Sequence, residues 1–258
     1  MIADGKPTWD VHVKYAAARM NLDLIEHREP TAEGWALSRS LGEKLDVWNI
    51  PVRASAAQKL QDTALGSKEF SFALMNLMAI MMHDLAVNIY EEFHPLSTHI
   101  VSTEPTLPDF AHPKYLNYRA YPRGLADLVG YWAEMRIFGG VVVFEHGNPP
   151  GERQAVWLHL PFKGVAQLTD SQLYSFPQLG NVSENAGAAT SDATSQADSI
   201  LPFSPEPGAR IVRTSEAYDL GLFRNTYEHV PPPQLTNFPC VRRDITYPAE
   251  FLEEMKRS

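Results

Sequence analysis

Residues Ser67 to Phe93 read SKEFSFALMNLMAIMMHDLAVNIYEEF, the most apolar stretch of the chain. As far as Met82 the apolar residues run all round a helical wheel, the mark of a helix buried in a core. Beyond that point the pattern turns amphipathic, with Met82, Leu85, Ala86, Ile89 and Phe93 at helical spacing and Asp84, Asn88, Glu91 and Glu92 opposite. Ser67 is a suitable N-cap and Pro95 a stop, so the spacing predicts one helix of ~40 Å, long enough to cross a domain. A membrane span is the competing reading. Asn76, His83 and Asp84 interrupt the run before ~20 consecutive apolar residues accumulate, which argues against it. Met75, Met78, Met81 and Met82 all lie here, and their unbranched thioether chains can repack around different neighbours. Beside a plain core role, that composition makes an adaptable apolar pocket lined by Met78 and Met82 an expectation.

Working outward from this helix, the first hundred residues predict helices only. Trp9, Val13, Ala16, Met20 and Leu24 place an amphipathic helix over Thr8 to Glu26. A second is expected from Ala32 to Leu45. A third opens with a capping box of Ser55 and Gln58 and ends at Leu65-Gly66. From His94 to Pro122 the prolines multiply and the helical period is lost, so a long surface connection is expected. Gly124 to Arg136 returns to helix and stops at Gly139-Gly140. Val141 to Glu145 and Gln154 to Leu160 are β-rich runs around a Pro-Gly turn, an antiparallel hairpin. Thr169 with Gln172 caps a short helix near Pro177. Gly180 to Gly208 is poor in apolar residues and is expected to stand off the core as a disordered insert. Behind it, Ala209 to Arg213 suits a strand and Ser215 to Tyr227 a helix; Pro231 to Pro233 form a stiff spacer and Tyr247 to Lys256 a last helix.

The expected architecture is therefore an α+β fold, predominantly helical, built round the long buried helix with a small antiparallel hairpin or sheet. Residues 1–179 would form the main domain, 180–208 the insert, and 209–258 a C-terminal segment packing back on it. With 258 residues the length suits one large domain. A formal charge of −9 is opposite to what a nucleic-acid footprint needs, so nucleic acid is excluded as a partner. Cys240 is the lone cysteine and the start, MIADGKPTWD, carries no apolar targeting segment, which points to a cytoplasmic protein.

The segment YPRGLADLVGYWAEMRIFGGVVVFEHG, Tyr121 to Gly147, resembles a segment recurring in hypothetical proteins of filamentous fungi. That resemblance implies a fungal source and no activity.

No phosphate-binding glycine loop, nucleophile elbow, H-E-x-x-H or paired cysteine motif occurs, so no cofactor is expected. Four constellations remain. His83-Asp84 is similar to the central pair of HD-type metal-dependent phosphohydrolases, where imidazole and carboxylate hold a metal that activates water. The earlier histidine of that pattern is missing, His27 being the nearest upstream, and adjacent helical positions point ~100° apart. His94, His99 and His112 share one loop. Glu145, with His146, and His159 would approach across the hairpin as an acid-base pair. Asp127, Tyr131 and Glu134 recur at helical spacing beside Trp132, a polar stripe suited to a ligand. No complete catalytic set emerges, so a small-molecule-binding or protein-binding scaffold with an apolar pocket is favoured. A hydrolase using His83 and Asp84, with Glu145 and His159 as further catalytic candidates, is the alternative.

Overall fold

The computed structural model describes residues 1–2, 5, 7–8, 27–44, 50, 52–94, 109–146, 153–161, 163–181 and 201–229. The predicted helix from Thr8 to Glu26, beyond its first residue, lies outside them, as do the polyproline spacer, the terminal helix and 182–200.

Six α-helices are described: α1 (Ala32–Lys44), α2 (Ala54–Gln61), α3 (Lys68–Phe93), α4 (Leu125–Phe138), α5 (Asp170–Ser175) and α6 (Thr214–Asp219). The strands are β1 (Val141–Glu145), β2 (Val156–Leu160), β3 (Gly164–Gln167), β4 (Ile211–Val212) and β5 (Leu222–Phe223). They form one antiparallel sheet in the order β4-β3-β2-β1-β5. The fold is thus α+β with helix predominating.

Helix α3 begins as its sequence prescribes, the Ser67 hydroxyl accepting the Phe70 N–H. Its length and composition would suffice for a membrane span, but more than half of that window is buried inside the fold, as in the core helix of a globular protein. Its first half packs Phe72, Met75 and Ala79 on the sheet face formed by Val142, Phe144, Val156 and Leu158. Its second half packs Ala86, Val87 and Tyr90 against Val129, Trp132 and Ala133 of α4. The opposite sheet face, with Val143, Trp157 and Val165, is covered by Tyr115, Tyr121 and Tyr131.

Helix α4 is the more deeply enclosed of the two. Every residue from Ala126 to Met135 is buried, including Asp127 and Glu134. It ends where the glycine pair predicts: Gly139 sits at φ 85°, left-handed, with its N–H on the Met135 carbonyl. A Cβ at Gly139 would lie 2.3 Å from the Phe203 carbonyl oxygen, so that close approach also requires glycine.

Several expectations are corrected. Helix α2 starts at Ala54 after an Arg53 that makes no side-chain cap, so Ser55 falls inside the first turn and its capping box does not form. The capping box of Thr169 and Gln172 does form. The expected hairpin is the centre of a larger sheet, because the unpredicted β3 extends it on one side and β5 on the other. The expected helix from Ser215 to Tyr227 stops at Asp219; Gly221, at φ 65°, turns the chain into β5. Much of the connection 94–122 that is described is not superficial, since Phe110, His112, Tyr115 and Tyr121 are buried. Nor does the whole of 180–208 stand off the core. Phe203 is buried against Phe176 and donates its N–H to the Phe138 carbonyl. One well-placed aromatic anchors a stretch whose average composition is polar.

Candidate functional site

Two features share helix α4, on different sides of it. One is a buried ionic network and the other an apolar cavity.

The network starts from the stripe Asp127, Tyr131 and Glu134. Lying on a buried face of α4, these side chains need partners inside the protein, since an unpaired buried charge costs several kcal/mol. His83 of α3 supplies the first. Its Nδ1 lies 2.8 Å from Glu134 Oε1 and its Nε2 3.0 Å from Asp127 Oδ1. A neutral imidazole has only one N–H, so satisfying both carboxylates as acceptors requires the imidazolium. Burial by itself pushes the His83 ring down; its hydrogen bonds to Asp127 and Glu134 outweigh that and raise it above the ordinary value, with Arg224 opposing. The ring lies against Gly130, where a Cβ would come within 2.5 Å of Nε2. Glycine in a helix interior costs about 1 kcal/mol, and here it makes room for the imidazole.

Arg224, just after β5, supplies the second partner. Its guanidinium grips Glu134 with two bonds of 2.6 and 2.8 Å. Burial alone would raise the Glu134 carboxyl, but the Arg224 charge and the bonds from His83 and Arg224 hold it below the usual carboxylate range. Glu228 closes the network: it accepts the Tyr131 hydroxyl at 2.7 Å, the Arg224 N–H at 3.0 Å and the Asn225 side-chain amide at 2.6 Å. Asp127, in the first turn of α4, also accepts the Arg123 N–H at 2.8 Å and benefits from the positive end of the helix. Three carboxylates therefore face two cations, and α3, α4 and the segment behind β5 are tied into one body.

The cavity lies on the other side of α4. It has a volume of about 600 Å³. Leu41 of α1, Leu85 and Ile89 of α3, and Trp132, Ala133 and Ile137 of α4 form its apolar walls. Met1 and Ile2 add to one side. Trp132 is held by an edge-on contact with Phe110, ring centroids 4.7 Å apart, so this wall is pre-formed. Helix α1 buries little besides Gly34, and at Gly42 a Cβ would meet nothing within 4 Å. Exposed Lys44, Glu92 and Arg136 stand at the mouth.

The sequence-derived candidates are distributed as follows. Trp132 lines the cavity. Asp127, Tyr131 and Glu134 belong to the network and not to the cavity. Met78 and Met82 also stay outside it, packing against the sheet-side core. His83 and Asp84 diverge as their helical positions dictate: His83 faces the network, whereas Asp84 faces outward and pairs with Arg53 at 3.3 Å. Glu145 and His159 do not meet. In the observed register His159 pairs with Val141 and Glu145 with Leu222, at opposite ends of β1. Glu145 instead accepts the Trp157 indole N–H at 3.0 Å. His146 Nε2 donates to the Phe223 carbonyl in a separate contact.

Of the loop histidines, His99 lies outside the described residues. His94 bonds the Ile2 carbonyl and His112 the His159 carbonyl, so these two are apart. His112 accepts the Lys114 N–H on Nδ1 and thus donates from Nε2. Burial, with Lys114 adding to it, pushes His159 down to about 3, and burial likewise holds His112 well below its ordinary value. Among the described residues, no group of three or more His, Cys, Asp or Glu is arranged to hold a metal ion.

Sequence reasoning missed Arg224 and Glu228. Nothing local marks Arg224, whose partner Glu134 is 90 residues away; Glu228 meets Tyr131 97 residues away, and its one local signal is the capping box it forms with Asn225. The available signal was Glu134 itself, an acid in a helix whose other residues apart from Asp127, Tyr131 and Arg136 are all apolar or glycine. The chain matches no protein-family model, no curated protein and no solved structure.

Proposed function

We propose that this protein binds an apolar small molecule in the cavity between α1, α3 and α4. The observation that carries the reading is the cavity itself. Its volume of about 600 Å³ falls in the range of small-molecule sites, roughly 300–1,000 Å³. Its walls are aliphatic and aromatic, and transfer of apolar ligand surface out of water supplies about 25 cal/mol per Å². The neighbouring ionic network contributes rigidity: its groups are engaged with one another, and it anchors the helix that bears Trp132. A cytoplasmic binding or accessory protein of this kind requires no cofactor.

Gly42 offers a direct test. Gly42 lines the cavity and a Cβ there would meet nothing within 4 Å, so a phenylalanine is expected to extend into the cavity. The neutral fluorophore N-phenyl-1-naphthylamine should bind the wild type saturably and raise its melting temperature, since ligand at ~100 Kd stabilises by about 2.7 kcal/mol. Gly42→Phe should fold and lose both responses, and Gly42→Ala should keep them. Equal binding by Gly42→Phe would remove the cavity from the account.

A further inference from the structure

The mouth of the cavity differs from its walls in carrying charge. Lys44 ends α1, Arg136 lies in the last turn of α4, and Glu92 lies in the last turn of α3. All three are exposed and line the opening. Arg53 pairs with Asp84, Lys68 with Asp170, and Arg123 with Glu91, while exposed Lys59, Arg119 and Lys163 form no ion pair among the described residues. Lys44 and Arg136 form no such pair among the described residues. The opening therefore presents two uncommitted cations against one acid, in a chain whose formal charge is −9. This local excess of positive charge, set against the overall sign, lines the same cavity as the apolar walls.

Given that the cavity is the binding site, as proposed above, we infer that its ligand is a monoanionic amphiphile. An aliphatic chain lies in the chamber against Trp132, Leu85 and Ile89, and a carboxylate head lies at the mouth between Lys44 and Arg136. The two halves of such a molecule match the two parts of the site. The chain is desolvated against apolar walls. The head keeps water on one side and gains the attraction of two cations without the large penalty of burying an ion. Arg136 can offer a fork of donors to both carboxylate oxygens, while Lys44 acts as a point charge. Glu92 lowers the attraction. An amine head would meet two like charges.

Displacement of N-phenyl-1-naphthylamine by straight-chain carboxylates, alcohols and amines of matched length tests the assignment. Each added methylene should strengthen displacement about fourfold until the chamber is full. At low salt the carboxylate should displace the probe at about five- to tenfold lower concentration than the alcohol, the amine being weakest. Each exposed pair contributes up to about fivefold. Raising ionic strength tenfold should shrink the carboxylate-to-alcohol ratio. In Lys44→Gln/Arg136→Gln that ratio should fall to about one, and in Glu92→Gln it should rise. An alcohol as effective as the carboxylate, or a double variant that keeps the wild-type ratio, overturns the anionic head while leaving the apolar cavity standing. Failure of every chain to displace the probe, or of the probe to bind, overturns the cavity itself.

Discussion

Replacing Arg224 by methionine tests whether the buried network holds this fold together. The substitution keeps much of the side-chain volume and removes the guanidinium. Glu134, with no exposed surface, would keep only the His83 bond at 2.8 Å and a long contact from the Val142 N–H at 3.4 Å. It would lose both bonds from the guanidinium, 2.6 and 2.8 Å. Removing one partner of a buried ion pair typically costs about 3 to 5 kcal/mol, because the other charge stays desolvated. For a chain of this size, each kcal/mol lowers the melting temperature by about 2 to 4 °C, so a fall of about 6 to 20 °C is expected. Urea unfolding followed by circular dichroism measures the loss directly, and a cycle with Glu134→Gln separates the pair from side effects. Residues in one network couple, so the double variant should be more stable than the sum of the singles implies, by about 2 kcal/mol or more. A loss under about 1 kcal/mol, or strict additivity, would mean that the Glu134 carboxylate does not depend on Arg224 and that the network is not the clasp described.

Further outcomes follow from the same contacts. Gly130→Ala sets helix propensity, worth about 1 kcal/mol in favour of alanine, against a Cβ placed 2.5 Å from His83 Nε2; the clash should win, with a net loss of about 1 to 3 kcal/mol in the same urea assay. Gly42→Ala, where nothing lies within 4 Å, should instead stabilise by about 0.5 to 1 kcal/mol, and equal effects at the two glycines would contradict the placement of the imidazole. Stability should peak near pH 6.5. His83 is raised in the fold, so its contribution is complete below the ordinary value of 6.5 and is lost as pH climbs through the folded value. His159, held down to about 3, and His112 lose stability in the other direction, as pH falls below 6.5 and the unfolded chain takes up protons that they refuse. Denaturation midpoints across pH should therefore show an alkaline limb of up to about 1.4 kcal/mol per unit that His83→Gln flattens; a mutant retaining that limb would assign it to another group. Phe203→Ala should cost about 3 to 5 kcal/mol by leaving a void against Phe176, and a near-neutral result would return residues 201–208 to the surface.

Much of the local structure is legible in the chain. The start and stop of α3 follow from Ser67 and the change in pattern behind Phe93, the end of α4 from Gly139, the cap of α5 from Thr169 and Gln172, and β1 from the run Val141 to Glu145. These signals are short-range: a side-chain oxygen within three residues, a glycine that adopts positive φ, an alternation or run that suits a pleated strand. Trp132, on a segment of plain helical period, lines the cavity.

Only tertiary structure decided which polar groups lie inside. By spacing alone, Asp127, Tyr131 and Glu134 form a stripe, and a stripe of acids on a helix normally faces water; here it faces His83, Arg224 and Glu228. The sequence does place His83 and Asp84 in different directions, but whether the inward one finds a metal, water or two carboxylates depends on the helix that packs across it. The same holds for Glu145 and His159, separated by a strand register that no local signal sets, and for Phe203, one apolar residue in a polar stretch. The cavity, finally, is bounded by three helices and by side chains as far apart in sequence as Leu41 and Ile137. Propensity and periodicity act over a turn or two of chain, whereas desolvation and ion pairing act through space. Residues whose roles come from the second kind of interaction become visible only when the chain is folded.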